Sequence, residues 1–210
     1  MAHAAELDPA MSLIRHLPNA LTIARGLAGP VGAFMLLSSF SADDEAGAVG
    51  YGLAAFIILV LAALTDAVDG WAARQLGAAT ALGELLDPIA DKLLVGAYLV
   101  AFVVIFRFDI WLMIPVAVIL ARDLTVTGLR LTSDKPSALA VTDTAKLKTG
   151  FQMAVVIAPF VVVMLGPHSP STMELYALFW YAAVWFLAAL TVWTGLPYWR
   201  AARRKTEHDE

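Results

Sequence analysis

The sequence predicts an all-α integral membrane protein of six transmembrane helices, preceded by a short N-terminal interfacial helix. Three observations lead there. Mean hydropathy is +0.75 and only 15% of the 210 residues are charged, which is too few for the surface of a soluble domain of this size. Six apolar stretches each meet the ~20 residues that a helix needs to cross a bilayer. Between them lie short polar, Gly- and Pro-containing links, with no internal repeat and no composition shift that would mark a second domain.

The elements follow in order. Residues 1–18 form a tail and an amphipathic stretch, MSLIRHL, suited to the membrane interface with Arg15 and His16 toward headgroups. Pro18-Asn19 punctuates the chain. The membrane domain is expected over 19–200, with a charged tail at 201–210. The first span, near 20–40, carries Arg25 and a run of small residues (Gly26, Gly29, Gly32) that suits close helix packing. Further spans are expected near 49–73, 83–106, 110–131, 147–165 and 173–199, the last interrupted by Gly195 and Pro197. Pro88 is either a first-turn proline of the third span or an internal one, depending on where that helix starts.

Charge and composition narrow the function. The absence of cysteine excludes disulfide and thiol chemistry. The net charge of −4 and the lack of a broad basic surface argue against a nucleic-acid partner. No basic region followed by an apolar core and a cleavage site opens the chain, so no cleaved signal peptide is expected. Lys and Arg are segregated. Arg15, Arg74, Arg130, Lys135, Lys146 and the run Arg200, Arg203, Arg204, Lys205 fall on one side of a six-span arrangement. The other side carries Arg107 and the acidic loop SADDEAG. The positive-inside rule therefore puts both termini in the cytoplasm of a cell bounded by an inner, cytoplasmic membrane.

The chemistry concentrates between Asp66 and Asp91. Asp66, Asp69, Asp87 and Asp91 flank one link and border apolar spans. Carboxylates at membrane depth are disfavoured by ~2.5 kcal/mol or more and need partners. Asp66, Asp69 and Ala73 share one helical stripe, and Gly83, Asp87 and Asp91 share another. Two antiparallel helices would therefore bring the four carboxylates face to face at the cytoplasmic end. Such a set of hard oxygen ligands suits divalent cations, Mg²⁺, Mn²⁺ or Ca²⁺, and not zinc. The bland alternative, pairing with Arg74 and Lys92, leaves two cations against four anions. A metal–carboxylate site at the membrane–cytosol boundary can serve phosphoryl or phosphatidyl transfer, and with no Ser, Cys or His nucleophile in the cluster a step without a covalent intermediate is the simplest.

The full run, DAVDGWAARQLGAATALGELLDPIAD, fits D-x2-D-G-x2-A-R-x8-G-x3-D-x3-D at every fixed position. It resembles the signature of the CDP-alcohol phosphotransferase family. That resemblance implies two divalent cations, Mg²⁺ or Mn²⁺, per active site, bound by Asp66, Asp69 and Asp87 with Asp91 alongside. It implies Asp91 as the general base, and Gly70 and Arg74, with Thr80 as a weaker candidate, as contacts to the CDP-lipid. Asn19 and Thr22 resemble positions lining the nucleotide end; a helix cap is the alternative reading of both. It also implies a homodimer among membrane lipids.

A second cationic set comprises Arg25, Arg122, Arg130, Lys146 and Lys148. Arg130 and Lys146 also suit snorkelling to headgroups, whereas Arg25 and Arg122 lie deeper. Cations beside a transfer site point to an acceptor that carries its own phosphate. The segments LPNALTIARGLAGP, ARDLTVTGLR and AKLKTGFQMA resemble the corresponding parts of bacterial phosphatidylglycerophosphate synthases, with one departure, Asp123 where Glu is expected. The reaction so implied takes CDP-diacylglycerol and glycerol 3-phosphate to phosphatidylglycerol phosphate and CMP. Alternative acceptors are phosphatidylglycerol (a cardiolipin synthase), inositol phosphate and, less suited, serine. Outside the enzyme class, a cation transporter also places Asp on facing helices, but this chain has no inverted repeat, and Arg74 would oppose cation passage. A membrane scaffold would not need the carboxylates.

Overall fold

The computed structural model describes residues 9–76, 81–131, 143–166 and 169–206, with side chains described for 20–65, 86–129, 148–166 and 169–196. Six helices follow one another: α1 (Pro9–Phe40), α2 (Glu45–Leu76), α3 (Ala81–Ile105), α4 (Ile110–Leu131), α5 (Asp143–Leu165) and α6 (Pro170–Thr206). Each contains a segment long and apolar enough to span a bilayer, and there is no strand among the described residues. The chain is a multi-pass membrane protein.

Helix ends follow local chemistry. Asp44 precedes α2 and its Oδ1 accepts from Gly47 N at 3.1 Å. Asp109 does the same for α4, accepting from Trp111 N at 3.0 Å, so both satisfy amides that a helix start leaves unpaired. The α3–α4 link is tight enough to hold two non-glycine residues at positive φ, Arg107 (53°) and Phe108 (59°). Hydrogen bonds from Arg107 N to Val104 O and from Phe108 N to Val103 O close it. Asp109 Oδ2 also accepts from Tyr181 OH at 2.7 Å, tying this turn to α6.

Two expectations about helix boundaries change. Pro18 does not end a separate N-terminal helix, because α1 runs unbroken from Pro9; the amphipathic stretch and the first span are one element. Proline costs one backbone bond, and the surrounding helical residues outweigh it. Likewise α6 continues through Gly195 and Pro197. Pro88 lies inside α3, beyond its first turn.

Neighbour relations follow from side-chain pairs. On α1 and α3, Thr22 meets Asp87, Arg25 meets Asp91 and Gly29 faces Leu93 and Leu94; the near-constant offset makes the two helices parallel. Arg122–Thr194 and Trp111–Trp185 make α4 and α6 parallel in the same way. Phe151–Phe186 and Trp180–Val155 make α5 and α6 antiparallel. The core between them holds Leu59, Leu94, Leu99, Leu112, Ile119, Val156 and Leu187, and a chain of rings, Phe56, Phe160, Phe102, Trp180 and Phe106. Tyr98, fully buried, donates to Ala55 O at 2.6 Å and so joins α3 to α2. Large apolar side chains such as Leu27, Phe34, Leu61 and Phe179 remain exposed, the distribution expected where the solvent is hydrocarbon.

Candidate active site

Close packing of α1 on α3 creates the first half of the site. A Cβ added at Gly29 would fall 2.6 Å from the carbonyl oxygen of Leu93 and 2.7 Å from Cα of Leu94. Only a glycine lets the two backbones approach so closely. One and two turns earlier on α1, Arg25 and Thr22 are thereby brought against the acidic face of α3.

Thr22 Oγ1 donates to Asp87 Oδ1 at 2.7 Å. Arg25 Nη1 lies 3.4 Å from Asp91 Oδ1 and 3.8 Å from Asp87 Oδ1. The Arg25 side chain is buried, yet those of Asp87 and Asp91 keep 53% and 34% of their surface exposed. One guanidinium shared between two carboxylates leaves net negative charge, and the carboxylates, one turn apart on α3, still face outward. That donor set of oxygen atoms fits a divalent cation. Among the described residues no group of three possible ligands occurs. Asp66 and Asp69 belong to α2, and their side chains lie outside the described residues, as do those of Asn19, Gly70, Arg74, Arg130 and Lys146. Thr80 lies outside the described residues altogether.

The second half is built around Asp123 on α4, which is 2% exposed. Its Oδ1 accepts from Lys148 Nζ at 2.5 Å and from Arg122 Nη1 at 2.9 Å. Its Oδ2 lies 3.8 Å from Lys92 Nζ and 3.4 Å from Gln152 Nε2. Arg122 Nη2 also donates to Thr194 Oγ1 at 3.1 Å. This junction joins α3, α4, α5 and α6. Three cations converge on one carboxylate, so positive charge exceeds negative among the described residues, in a place where Lys148 and Arg122 are buried. Buried charge of this kind is disfavoured without an anion, and a phosphate provides one. Lys92 directly follows Asp91 in α3, so the anionic and cationic halves adjoin.

Residues 15–195 match the family model described as CDP-alcohol phosphatidyltransferase. The chain belongs to this family. Similar proteins include the CDP-diacylglycerol–glycerol-3-phosphate 3-phosphatidyltransferase of Rickettsia bellii, 36% identical over 92% of this chain and 99% of the relative. The Bacillus subtilis protein of the same name is 34% identical over 87% of this chain and 93% of its own. A probable phosphatidylglycerophosphate synthase of Mycobacterium tuberculosis is 35% identical, covering 91% of this chain and 83% of its own.

Within this family member, the structure sorts the sequence candidates. It brings Thr22, Arg25, Asp87 and Asp91 together, and it brings Arg122 and Lys148 together. Arg25, grouped in the sequence with the cations of the acceptor side, has its guanidinium at Asp87 and Asp91. Thr22 and Asn19 lie well inside α1, so neither caps that helix. Sequence reasoning missed Gln152 and Thr194, and it noted Asp123 only as a departure from the expected Glu. A weak signal existed for Gln152, a polar residue one turn after Lys148 in an otherwise apolar run. Nothing in the sequence marks Thr194. An apolar cavity of about 460 Å³ between α5 and α6, lined by Val155, Pro159, Met173 and Trp180 among others, has no carboxylate or cation in its lining and lacks the chemistry of the site.

Proposed function

We propose that this protein transfers the phosphatidyl group of CDP-diacylglycerol to glycerol 3-phosphate, giving phosphatidylglycerol phosphate and CMP. The observation that carries the reading is the pairing of an outward-facing carboxylate helix face with a buried junction where Lys92, Arg122 and Lys148 surround one Asp123. The first suits a pyrophosphate held through cations, the second a phosphorylated acceptor. The names carried by its relatives support the same donor and acceptor.

In this mechanism the acceptor's phosphate docks among Arg122, Lys148 and Lys92, which aims its sn-1 hydroxyl at the carboxylate side. Asp91 takes the hydroxyl proton. The hydroxyl oxygen bonds to the β-phosphorus of CDP-diacylglycerol, the bond from that phosphorus to the bridging oxygen breaks, and CMP leaves. Asp66, Asp69, Asp87 and Asp91 would hold two Mg²⁺ or Mn²⁺ ions, which when bound neutralise pyrophosphate charge. Thr22 and Arg25 orient Asp87 and Asp91, and Arg74, Gly70, Asn19 and Thr80 contact the CDP-lipid. Arg130 and Lys146 extend the basic rim. The Lys/Arg distribution puts this end of the bundle, and both termini, on the cytoplasmic side of the inner membrane, and the protein acts as a homodimer. Incubation with labelled glycerol 3-phosphate and CDP-diacylglycerol tests the reading: label is expected in the lipid fraction, in step with CMP, and label confined to the aqueous fraction would refute it.

A further inference from the structure

Gln152 has a contact pattern that phosphate recognition does not explain. The residue is 3% exposed on α5, one turn after Lys148, and its Nε2 faces Asp123 Oδ2 at 3.4 Å. An ionised carboxylate only accepts hydrogen bonds, so the NH₂ end must point to Asp123 and the carbonyl end away from it. That carbonyl oxygen is buried and accepts from no group among the described residues. A buried acceptor without a donor is disfavoured and calls for an explanation. The neighbouring cations turn elsewhere, Lys148 Nζ and Arg122 Nη1 to Asp123 and Arg122 Nη2 to Thr194, and none of them reaches Gln152 Oε1. A phosphate that binds the cations has no proton to give Gln152. A hydroxyl does.

We infer that Gln152 is a specificity-determining residue: its Oε1 accepts a hydrogen bond from the free, non-reacting hydroxyl of the acceptor while Lys148 and Arg122 hold the acceptor's phosphate. The inference rests on the acceptor reading above and adds to it a reason for choosing a phosphorylated polyol. Lys148 and Gln152 are one helical turn apart, about 6 Å along α5, so the ligand must present a phosphate and a hydroxyl within a few ångström. In glycerol 3-phosphate these are on adjacent carbons. Asp123 serves as the positioning residue, since its Oδ2 sets which end of the Gln152 amide faces the ligand.

The test compares two acceptors in one preparation of the full-length protein, with saturating CDP-diacylglycerol and Mg²⁺: glycerol 3-phosphate and propane-1,3-diol monophosphate. The second keeps the reacting primary hydroxyl and the phosphate and lacks only the middle hydroxyl. Wild type is expected to favour glycerol 3-phosphate in kcat/KM by about tenfold or more. Gln152→Met is expected to cut that preference to about threefold or less, through loss of rate with glycerol 3-phosphate alone. Because each ratio comes from a single preparation, the folded fraction cancels, whereas a merely structural role would lower both rates together. An unchanged ratio in Gln152→Met overturns the inference. So does a wild-type protein that uses both acceptors equally, a result that needs no variant and decides the matter if Gln152→Met does not fold. Wild-type protein inactive with both acceptors would overturn the acceptor reading and this inference with it.

Discussion

Thr22 and Asp87, 65 residues apart, are joined by a 2.7 Å hydrogen bond from Oγ1 to Oδ1. The bond sets the rotamer of a carboxylate that otherwise projects outward from α3, and an oriented ligand binds a cation better than a free one. Thr22→Val keeps the shape and removes the donor. The cation concentration for half-maximal CMP release is expected to rise by about tenfold, with kcat at saturating Mg²⁺ changed far less. A metal titration of the variant checks this, and an unchanged midpoint would detach Thr22 from the metal site.

Packing upstream of that bond is equally specific. Gly29→Ala would drive a methyl group into the backbone of Leu93 and Leu94, and backbone cannot swing aside as a side chain can. The variant is expected to lose ~1–3 kcal/mol of stability. It should also lose most of its activity, because the α1–α3 spacing that holds Thr22 and Arg25 against Asp87 and Asp91 widens. Thermal unfolding in detergent and turnover at saturating substrates give the two readouts. Full activity in the alanine variant would mean that the interface is looser than it stands here.

Arg122 reaches its place because α6 offers Gly195 there, where an added Cβ would meet Arg122 Nε at 3.0 Å. Held by Thr194 and Asp123, its guanidinium is rigid enough to bind a phosphate with little further ordering. Arg122→Ala is expected to raise the KM for glycerol 3-phosphate by about tenfold or more, while that for CDP-diacylglycerol stays within about twofold. Equal increases in both would argue against an acceptor pocket at this junction.

Removing one member of the Asp123–Lys148 pair leaves a buried charge without its partner. Asp123→Ala and Lys148→Met are each expected to lower stability by ~3–5 kcal/mol. The double variant should lose less than the sum, because the group stranded by each change is removed by the other. Unfolding of the four proteins in the same detergent measures the coupling. Strict additivity would show that the 2.5 Å contact contributes no net interaction.

The membrane architecture was legible in the sequence because each span is a long apolar run, a signal that one stretch of chain carries by itself. The carboxylate set was legible for a related reason, since ionised groups are conspicuous beside lipid-soluble ones. Boundaries were harder. Pro18, Gly195 and Pro197 read as breaks because local propensity opposes helix there, and helical continuity with packing on either side overrides it. Side-chain partners were the least legible. Arg25 and Arg122 looked alike as arginines within spans, yet one turns to Asp87 and Asp91 and the other to Asp123. Which anion each meets depends on the parallel pairing of α1 with α3 and of α4 with α6, a property of the assembled bundle. Thr194 stayed hidden for the same reason and Gln152 left only a weak signal, both being uncharged residues whose partners come from other helices.

The central claim, phosphatidyl transfer to a phosphorylated acceptor, is tested most directly by CMP release from purified protein in detergent. CDP-diacylglycerol and Mg²⁺ or Mn²⁺ are supplied with one acceptor at a time: glycerol 3-phosphate, phosphatidylglycerol, inositol phosphate or serine. Release that requires both the divalent cation and glycerol 3-phosphate is the predicted result. Release with serine in place of glycerol 3-phosphate, or none with any acceptor from folded, metal-supplied protein, would contradict it.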